Sequence, residues 1–147
     1  MEKRISLLLF TLICSLVLAQ DDLSQAKDLF YDGKYSACQS ILNQIYNNEE
    51  ITPEVIYLNA KCSKELFLID AISLYNELNV VFPYHQFKDA VNQDLAQIYY
   101  REKEYVNAIS SFSKVDVLSN EQLFKLAYSC FSIDSLKDAR LYFSELM

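Results

Sequence analysis

The sequence predicts an all-α fold in which short helices pack as antiparallel pairs. Its 147 residues include only one glycine and two prolines, so few residues favour tight β-hairpin turns. After Ala19, apolar residues recur at the three- and four-residue spacing of one helix face. A small residue followed four positions later by a large apolar residue also occurs four times, which indicates four copies of one helical unit.

The first 19 residues have the pattern of a cleaved secretion signal. Lys3 and Arg4 precede an almost wholly apolar run over residues 5–18, and Ala19 is a small residue at the expected cleavage site. The run has about 14 residues, whereas a bilayer-spanning helix needs about 20. We therefore expect a signal peptide over residues 1–19 and no integral membrane span after its removal.

Residues 20–147 are expected to form one domain of four helix pairs. The copies align on the small residue of each second helix, at spacings of 33, 37 and 31 residues: Cys38, Ala71, Ala108 and Ala139. Small residues let antiparallel helices approach closely, and the larger residue four positions later packs across the seam. Three first helices also carry a small residue, at Ala26, Ala96 and Ala127, and Asn59 takes that place in the second copy.

Polar turns and helix caps divide these copies into elements. Gly33 follows the first apolar run, Thr52 and Pro53 form an N-cap and first helical residue, and Ser119 is a second N-cap. The repeats are expected at about 22–50, 53–83, 86–117 and 120–147. The helices are expected near 22–32, 35–48, 53–65, 68–82, 86–101, 105–117, 120–132 and 135–146.

The four copies resemble the tetratricopeptide repeat (TPR) family. The third copy carries both the L-A-x-x-Y element, at Leu95–Tyr99, and the Y-x-x-A-x-x-x-F element, at Tyr105–Phe112. The resemblance implies a right-handed α-solenoid of stacked helix pairs that holds other proteins. Residues 112–116, 118–121, 124–129 and 139–143 are also similar to a stretch near the start of large exported TPR proteins of the Gram-negative envelope. Residues 80–84 are similar to envelope TPR proteins that assist outer-membrane assembly and cell-division coordination. That similarity implies a periplasmic or envelope scaffold, and it implies that this chain is the N-terminal segment of a longer protein.

Charge and motifs argue against catalysis and against nucleic-acid binding. Without residues 1–19 the chain has 19 acidic and 11 basic residues, a net charge of −8, which opposes phosphate contacts. His85 is the single histidine, and we expect it to be solvated or to cap a helix rather than to act as a catalytic base. No Gly-rich phosphate loop or metal-ligand spacing occurs in the sequence. We predict a chain that is not an enzyme and uses no cofactor or metal.

The TPR resemblance places a partner-binding groove on the first helices. Tyr and Arg are common anchors of protein interfaces, so we expect a protein or peptide partner of unknown identity. An alternative is that part of the aromatic side chains only pack between repeats. The groove positions correspond to Lys27, Phe30, Tyr31, Ile56, Ala60, Ser63, Lys64, Gln93, Gln97, Tyr100, Arg101, Phe124, Tyr128 and Phe131.

Two further alternatives remain open at this point. The chain could be a structural module that self-associates through its C-terminal helix, near residues 135–146, instead of a scaffold for a different protein. Cys38 and Cys62 fall on neighbouring helices, where they either form a disulfide or fill small buried positions as free thiols.

Overall fold

A computed structural model describes residues 22–48 and 51–146, and all regular secondary structure in this part of the chain is helical. The expected all-helical fold is thereby confirmed, whereas the expected signal peptide lies outside the described residues. Eight helices occur in the described part: α1 (22–31), α2 (Tyr35–Asn47), α3 (Pro53–Glu65), α4 (Ala71–Val81), α5 (Lys88–Arg101), α6 (Tyr105–Phe112), α7 (Asn120–Ser132) and α8 (Leu136–Glu145).

The chain divides into two compact units, one ending at Leu78 and the other beginning at Asn79. In the first unit α2 packs against α3. In the second unit α5 packs against α6, α6 against α7, and α7 against α8. Consecutive helices therefore pack in pairs, as the sequence predicts.

The same turn joins α1 to α2, α3 to α4, α5 to α6 and α7 to α8. Each turn contains one residue in the left-handed backbone region: Gly33 (φ 73°), Phe67 (φ 57°), Lys103 (φ 63°) and Asp134 (φ 60°). The N–H of this residue donates to the carbonyl three residues earlier, at 3.0 to 3.1 Å. The next N–H donates to the carbonyl five residues earlier, at 2.8 to 2.9 Å. These two hydrogen bonds define the Schellman motif, which ends the first helix of each pair.

The Schellman turns fix the register of the first helices. Seven residues before each left-handed residue stands a fully buried alanine: Ala26, Ala60, Ala96 and Ala127. The small residue of the second copy is therefore Ala60, and the expectation that Asn59 takes this place was wrong. The sequence alignment used the second helices, and Ala71 follows its turn residue by four positions where Cys38, Ala108 and Ala139 follow theirs by five.

The second helices bury the residues that the repeat pattern selects. In α2 these are Cys38, Leu42 and Ile45, and in α4 they are Ala71, Tyr75 and Leu78. In α6 they are Ala108 and Phe112, and the same spacing continues to Val115 after the helix end. In α8 only Ala139 is buried, while Phe143 and Leu146 are half-buried. The apolar row of each second helix thus supplies the core between the paired helices.

Two second helices are shorter than expected. α4 begins at Ala71 instead of 68, because Leu68 closes the Schellman turn through its N–H to Ser63 and Ser73 Oγ donates to the Asp70 carbonyl. α6 ends at Phe112 instead of 117. Its exit is a tight turn in which the N–H of Val115 donates to the Phe112 carbonyl at 3.1 Å.

The predicted N-caps of α3 and α7 are confirmed. Thr52 Oγ1 accepts a hydrogen bond from the Val55 N–H at 3.3 Å, with Pro53 as the first helical residue. Ser119 forms a capping box with Gln122, in which each side chain accepts from the other residue's N–H. These bonds satisfy amide donors that an uncapped helix would leave unpaired.

We expect the substitution Gly33→Ala to destabilise the fold through backbone strain alone. Gly33 has φ 73°, and a Cβ added there meets no atom within 4 Å, so no steric clash contributes. The left-handed conformation costs an L-residue about 1 kcal/mol, which urea unfolding monitored by circular dichroism would show as a lower midpoint. Lys103→Gly is the matched reverse change and should raise the midpoint, since it removes a Cβ from the same conformation. Equal midpoints for Gly33→Ala and the wild type would contradict this account.

Candidate protein-binding surface

In the first unit, the expected groove residues of α1 have mixed surroundings. Lys27 Nζ lies 2.9 Å from Glu54 Oε1 on α3, so its charge is paired. The Phe30 ring lies 6.0 Å from Tyr31 and 5.3 Å from Tyr35, and Tyr31 itself is 84% exposed. The α1 face therefore presents one exposed ring beside a packed one.

The groove positions expected in the second copy were wrong for three of four residues. Ile56, Ala60 and Ser63 are fully buried, while Lys64 is half-buried. The Schellman register places Tyr57 and Lys61 on this face instead, seven and three residues before Lys64 respectively. Lys61 Nζ lies 5.7 Å from the Tyr57 ring centroid and 5.8 Å from that of Phe30, within cation–π range.

Four neighbouring aromatic rings lie on the surface of the second unit. The rings of Tyr100, Tyr105 and Tyr128 form a triangle with centroids 6.0 to 6.2 Å apart, each pair edge to face. Phe124 stacks on Tyr128 at 6.5 Å. We call Tyr100, Tyr105, Phe124 and Tyr128 the aromatic cluster. Its edge-to-face geometry is the one aromatic pairs prefer, because the ring edge is positive and the ring face negative.

The cluster is open to solvent on α7. Phe124 is 48% exposed and Tyr128 is 39% exposed. Phe131, one turn further along the same helix, is 55% exposed. The expected groove residues Phe124, Tyr128 and Phe131 thus share one solvent-facing row at i, i+4 and i+7 spacing.

Polar side chains border the aromatic cluster. Lys125 Nζ lies 5.9 Å from the Tyr100 ring centroid and 2.6 Å from Glu121 Oε1. Gln93 donates from Nε2 to Asp89 Oδ2 at 3.0 Å, and its Oε1 accepts from Gln122 Nε2 at 3.2 Å. The Gln93 amide is therefore occupied by intramolecular hydrogen bonds.

The last two expected groove residues lie on α5. Gln97 is half-buried, and Arg101 is exposed with its Nε 3.0 Å from Glu102 Oε1. Tyr100, between them, has a raised pKa because burial and the neighbouring Tyr128 and Tyr105 phenols disfavour its anion. The Tyr100 phenol is therefore uncharged at neutral pH, and the Lys125 ammonium lies beside its ring.

Tyr105, Tyr57 and Lys61 are the residues of these surfaces that sequence reasoning missed. Tyr105 is the first residue of α6, and only first helices were considered for the groove. Tyr57 and Lys61 were missed because the second copy was aligned in the wrong register. An alignment on the first helices, with Ala60 opposite Ala96, would have found both.

An open polar cleft of about 820 Å³ lies elsewhere on the second unit, beside the start of α5. Its lining includes Lys88, Lys114, Asp89 and Asp116, so both signs of charge are present. Asp89 is engaged structurally, since Oδ1 accepts from the Asp116 N–H at 3.0 Å and Oδ2 from Gln93. The hydrogen bond from Asp116 to Asp89 thus holds the start of α5 against the segment after α6. The lining of the cleft has no excess of one charge.

His85 caps the start of α5. Its Nδ1 accepts from the Phe87 N–H at 3.1 Å, so Nε2 carries the proton and donates to Asn79 Oδ1 at 3.0 Å. Burial lowers the pKa of His85, and the positive charge of Lys88 lowers it further. Of the two roles expected for His85, the capping role is the one confirmed.

Within residues 22–48 and 51–146, no three His, Cys, Asp or Glu side chains group closely enough to hold a metal ion. No helix in the same ranges is long and apolar enough to cross a bilayer.

No family model matches the chain, and neither curated proteins nor solved structures give a significant match.

We expect the neutral His85 cap to make stability fall at mildly acidic pH. Because its folded-state pKa is below the unfolded value, the unfolded chain binds more protons between the two values. The stabilising contribution is complete above the unfolded pKa of about 6.5 and is lost as pH falls through the folded pKa. Urea unfolding should therefore show a smaller decrease from neutral to mildly acidic pH for His85→Asn than for the wild type. Asn retains an acceptor for the Phe87 N–H and does not titrate; identical pH profiles would count against the cap.

Proposed function

We propose that this chain is a non-catalytic, TPR-like scaffold that binds an extended segment of a partner protein in the periplasm or cell envelope. The observation that carries the proposal is the solvent-facing row Phe124, Tyr128 and Phe131 beside the packed tyrosines 100 and 105. Tyrosines held rigid by edge-to-face neighbours bind a partner at a low cost in side-chain entropy.

The recurrence of one hairpin supports a TPR-like repeat. The left-handed turn residues Gly33, Phe67, Lys103 and Asp134 follow one another at 34, 36 and 31 residues, close to the family period of 34. A buried alanine at one register position in all four first helices is a further common feature. Helix pairs of this size stack into a right-handed solenoid in the TPR family, and we propose the same assembly here.

The composition of the surface supports a protein partner over a charged small molecule. Tyr and Phe supply large contact areas, and the Tyr hydroxyls and the Gln97 amide can pair with main-chain groups of an extended segment. The Lys125 ammonium is already shared between the Tyr100 ring and Glu121. No cofactor, metal or nucleic acid takes part in the proposed function.

Self-association is the second candidate, and exposed leucines on α8 favour it. Leu136 is 59% exposed and Leu141 is 54% exposed, on the last helix that the structure describes. In this version a second copy of the chain covers α8, and the module is structural. In this second candidate function, the chain acts as the N-terminal segment of a larger TPR assembly protein.

Binding through the aromatic cluster is tested with peptides selected on the purified protein from a random 12-residue display library. We expect Tyr128→Ala to weaken the selected peptides by at least about tenfold, as loss of a buried interface tyrosine does. Tyr84→Ala is the matched control, because Tyr84 is 98% exposed in the segment between α4 and α5. Fluorescence anisotropy gives both affinities, and circular dichroism verifies that each variant keeps its helix content.

The outcomes of this test separate the candidates. Equal weakening by Tyr128→Ala and Tyr84→Ala would exclude the aromatic cluster as the binding surface. Light scattering of the same samples then detects self-association: a dimer that Leu141→Glu dissociates, without selected peptides that depend on Tyr128, would favour the structural module.

The exported location has a separate test. The basic start and apolar run of residues 5–18 support export followed by cleavage after Ala19. Expression of the whole chain in a Gram-negative host, followed by mass spectrometry of the periplasmic fraction, should find Gln20 at the N-terminus. Recovery of the chain only from the cytoplasm with Met1 in place would rule out the proposed location and leave the binding surface untouched.

A further inference from the structure

Cys38 and Cys62 lie together in the core of the first unit. Cys38 belongs to α2 and Cys62 to α3, the two helices pack against each other, and both side chains are 0% exposed. Both are members of one buried apolar cluster that also contains Ala26 and Leu42. A hydrogen bond between the two thiols shifts both of their pKa values, so the side chains are neighbours across the helix pair. Neighbouring thiols on packed helices are the arrangement from which a disulfide bond of about 2.05 Å can form.

Flanking hydrogen bonds hold the two cysteines opposite each other. Gln39, next to Cys38, donates from Nε2 to the Oγ of Ser63, next to Cys62, at 2.7 Å. Four residues further along α2 and one turn back along α3, Asn59 Nδ2 donates to Asn43 Oδ1 at 3.0 Å. Both bonds cross from one helix to the other, so the register that places the thiols opposite each other is fixed by polar groups as well as by packing.

We propose that Cys38 and Cys62 form a disulfide that joins α2 to α3 when the chain meets an oxidant that itself carries a disulfide. Oxidised glutathione or an exposed disulfide of a thiol oxidoreductase belongs to this class of oxidant. The proposal goes beyond the scaffold function and does not depend on it, since the first unit can be cross-linked whatever the aromatic cluster binds.

The exchange proceeds in two steps that conserve electrons and protons. The thiolate of one cysteine attacks one sulfur of the oxidant, which forms a mixed disulfide and releases one thiol. The other cysteine then gives up its proton and attacks the sulfur of the first cysteine, which releases the second thiol. Two protein thiols are thus oxidised to one disulfide, and one oxidant disulfide is reduced to two thiols.

The pKa values of the two thiols shift in opposite directions. The hydrogen bond from Cys62 lowers the pKa of Cys38, although burial acts in the opposite direction. The same hydrogen bond raises the pKa of Cys62, and burial raises it further. The thiolate is the nucleophile in thiol–disulfide exchange, so one of the two thiols must first reach the oxidant and ionise. Because both sulfurs are enclosed, the first step requires α2 and α3 to open locally, and the exchange is slow in the folded protein.

Cys130 supplies an internal control. It lies on α7 in the second unit, where its side chain is 2% exposed in a core cluster with Phe112 and Leu126. Burial raises the pKa of Cys130, and the nearby Asp138 carboxylate raises it further. Cys130 is therefore a buried thiol that is exposed to the same oxidant. Among the described residues, its core cluster contains no second cysteine.

The test is equilibration of the purified protein in mixtures of oxidised and reduced glutathione. Samples start from the reduced folded protein and, in parallel, from protein refolded out of urea in the same buffers, so that slow access does not decide the result. After acid quenching, free thiols are alkylated under denaturing conditions and the digest is analysed by mass spectrometry. We expect one cross-linked peptide pair containing Cys38 and Cys62, and free, alkylated Cys130.

The strength of the pairing is measured by comparison with the unfolded chain. A native disulfide stabilises a fold by a few kcal/mol, so the equilibrium constant for closing Cys38–Cys62 should be about 100-fold larger in folded protein than in urea. The variant Cys62→Ser should give no intramolecular bridge to Cys38. Retention of both thiols under oxidising conditions from both starting points would overturn the proposal. Equal closing constants in buffer and urea, or a bridge to Cys130, would also overturn it.

Discussion

The close approach of the two helices in each pair is the constraint on which the other features depend. It has two components, a Schellman turn that reverses the chain and a fully buried alanine seven residues before the turn. In the second unit Ala96 shares one core cluster with Ala108 and Phe112 of the next helix. In the first unit Ala26 shares a cluster with Cys38 and Leu42. A larger side chain at either alanine would push the two helices apart and leave gaps along the buried apolar row of the second helix.

The proposed binding surface lies on the opposite side of the first helices from that buried row. Once Ala127 faces the core, the residues three before it, one after it and four after it turn toward solvent on α7. They are Phe124, Tyr128 and Phe131. On α5 the same offsets from Ala96 give Gln93, Gln97 and Tyr100, which are half-buried. The position of the aromatic cluster therefore follows from helix register, while its ability to hold a partner depends on which side chains occupy that register.

The sequence predicted the helical class and most helix bounds because the apolar periodicity is strong and few residues break helices. It also selected Tyr100, Phe124 and Tyr128, which lie together in the structure. It failed where backbone conformation, not residue type, determines the outcome. Phe67, Lys103 and Asp134 adopt a conformation that favours glycine, so nothing in their identity marks the turns, and the register error at Asn59 and Ala60 followed from this. Tyr105 was missed because it begins a second helix, α6, and only first helices were considered for the groove.

The Schellman turns have a further consequence for how such a chain tolerates change. Main-chain hydrogen bonds alone close each turn, so the apex side chain is not required for closure. Within this one sequence the apex is occupied by no side chain, an aromatic ring, an ammonium and a carboxylate, all on the same backbone path. Each apex is therefore a site where the surface chemistry of a hairpin tip can be exchanged at a cost of only about 1 kcal/mol of strain. Hairpins of this kind can therefore carry different apex side chains while their backbone geometry stays the same.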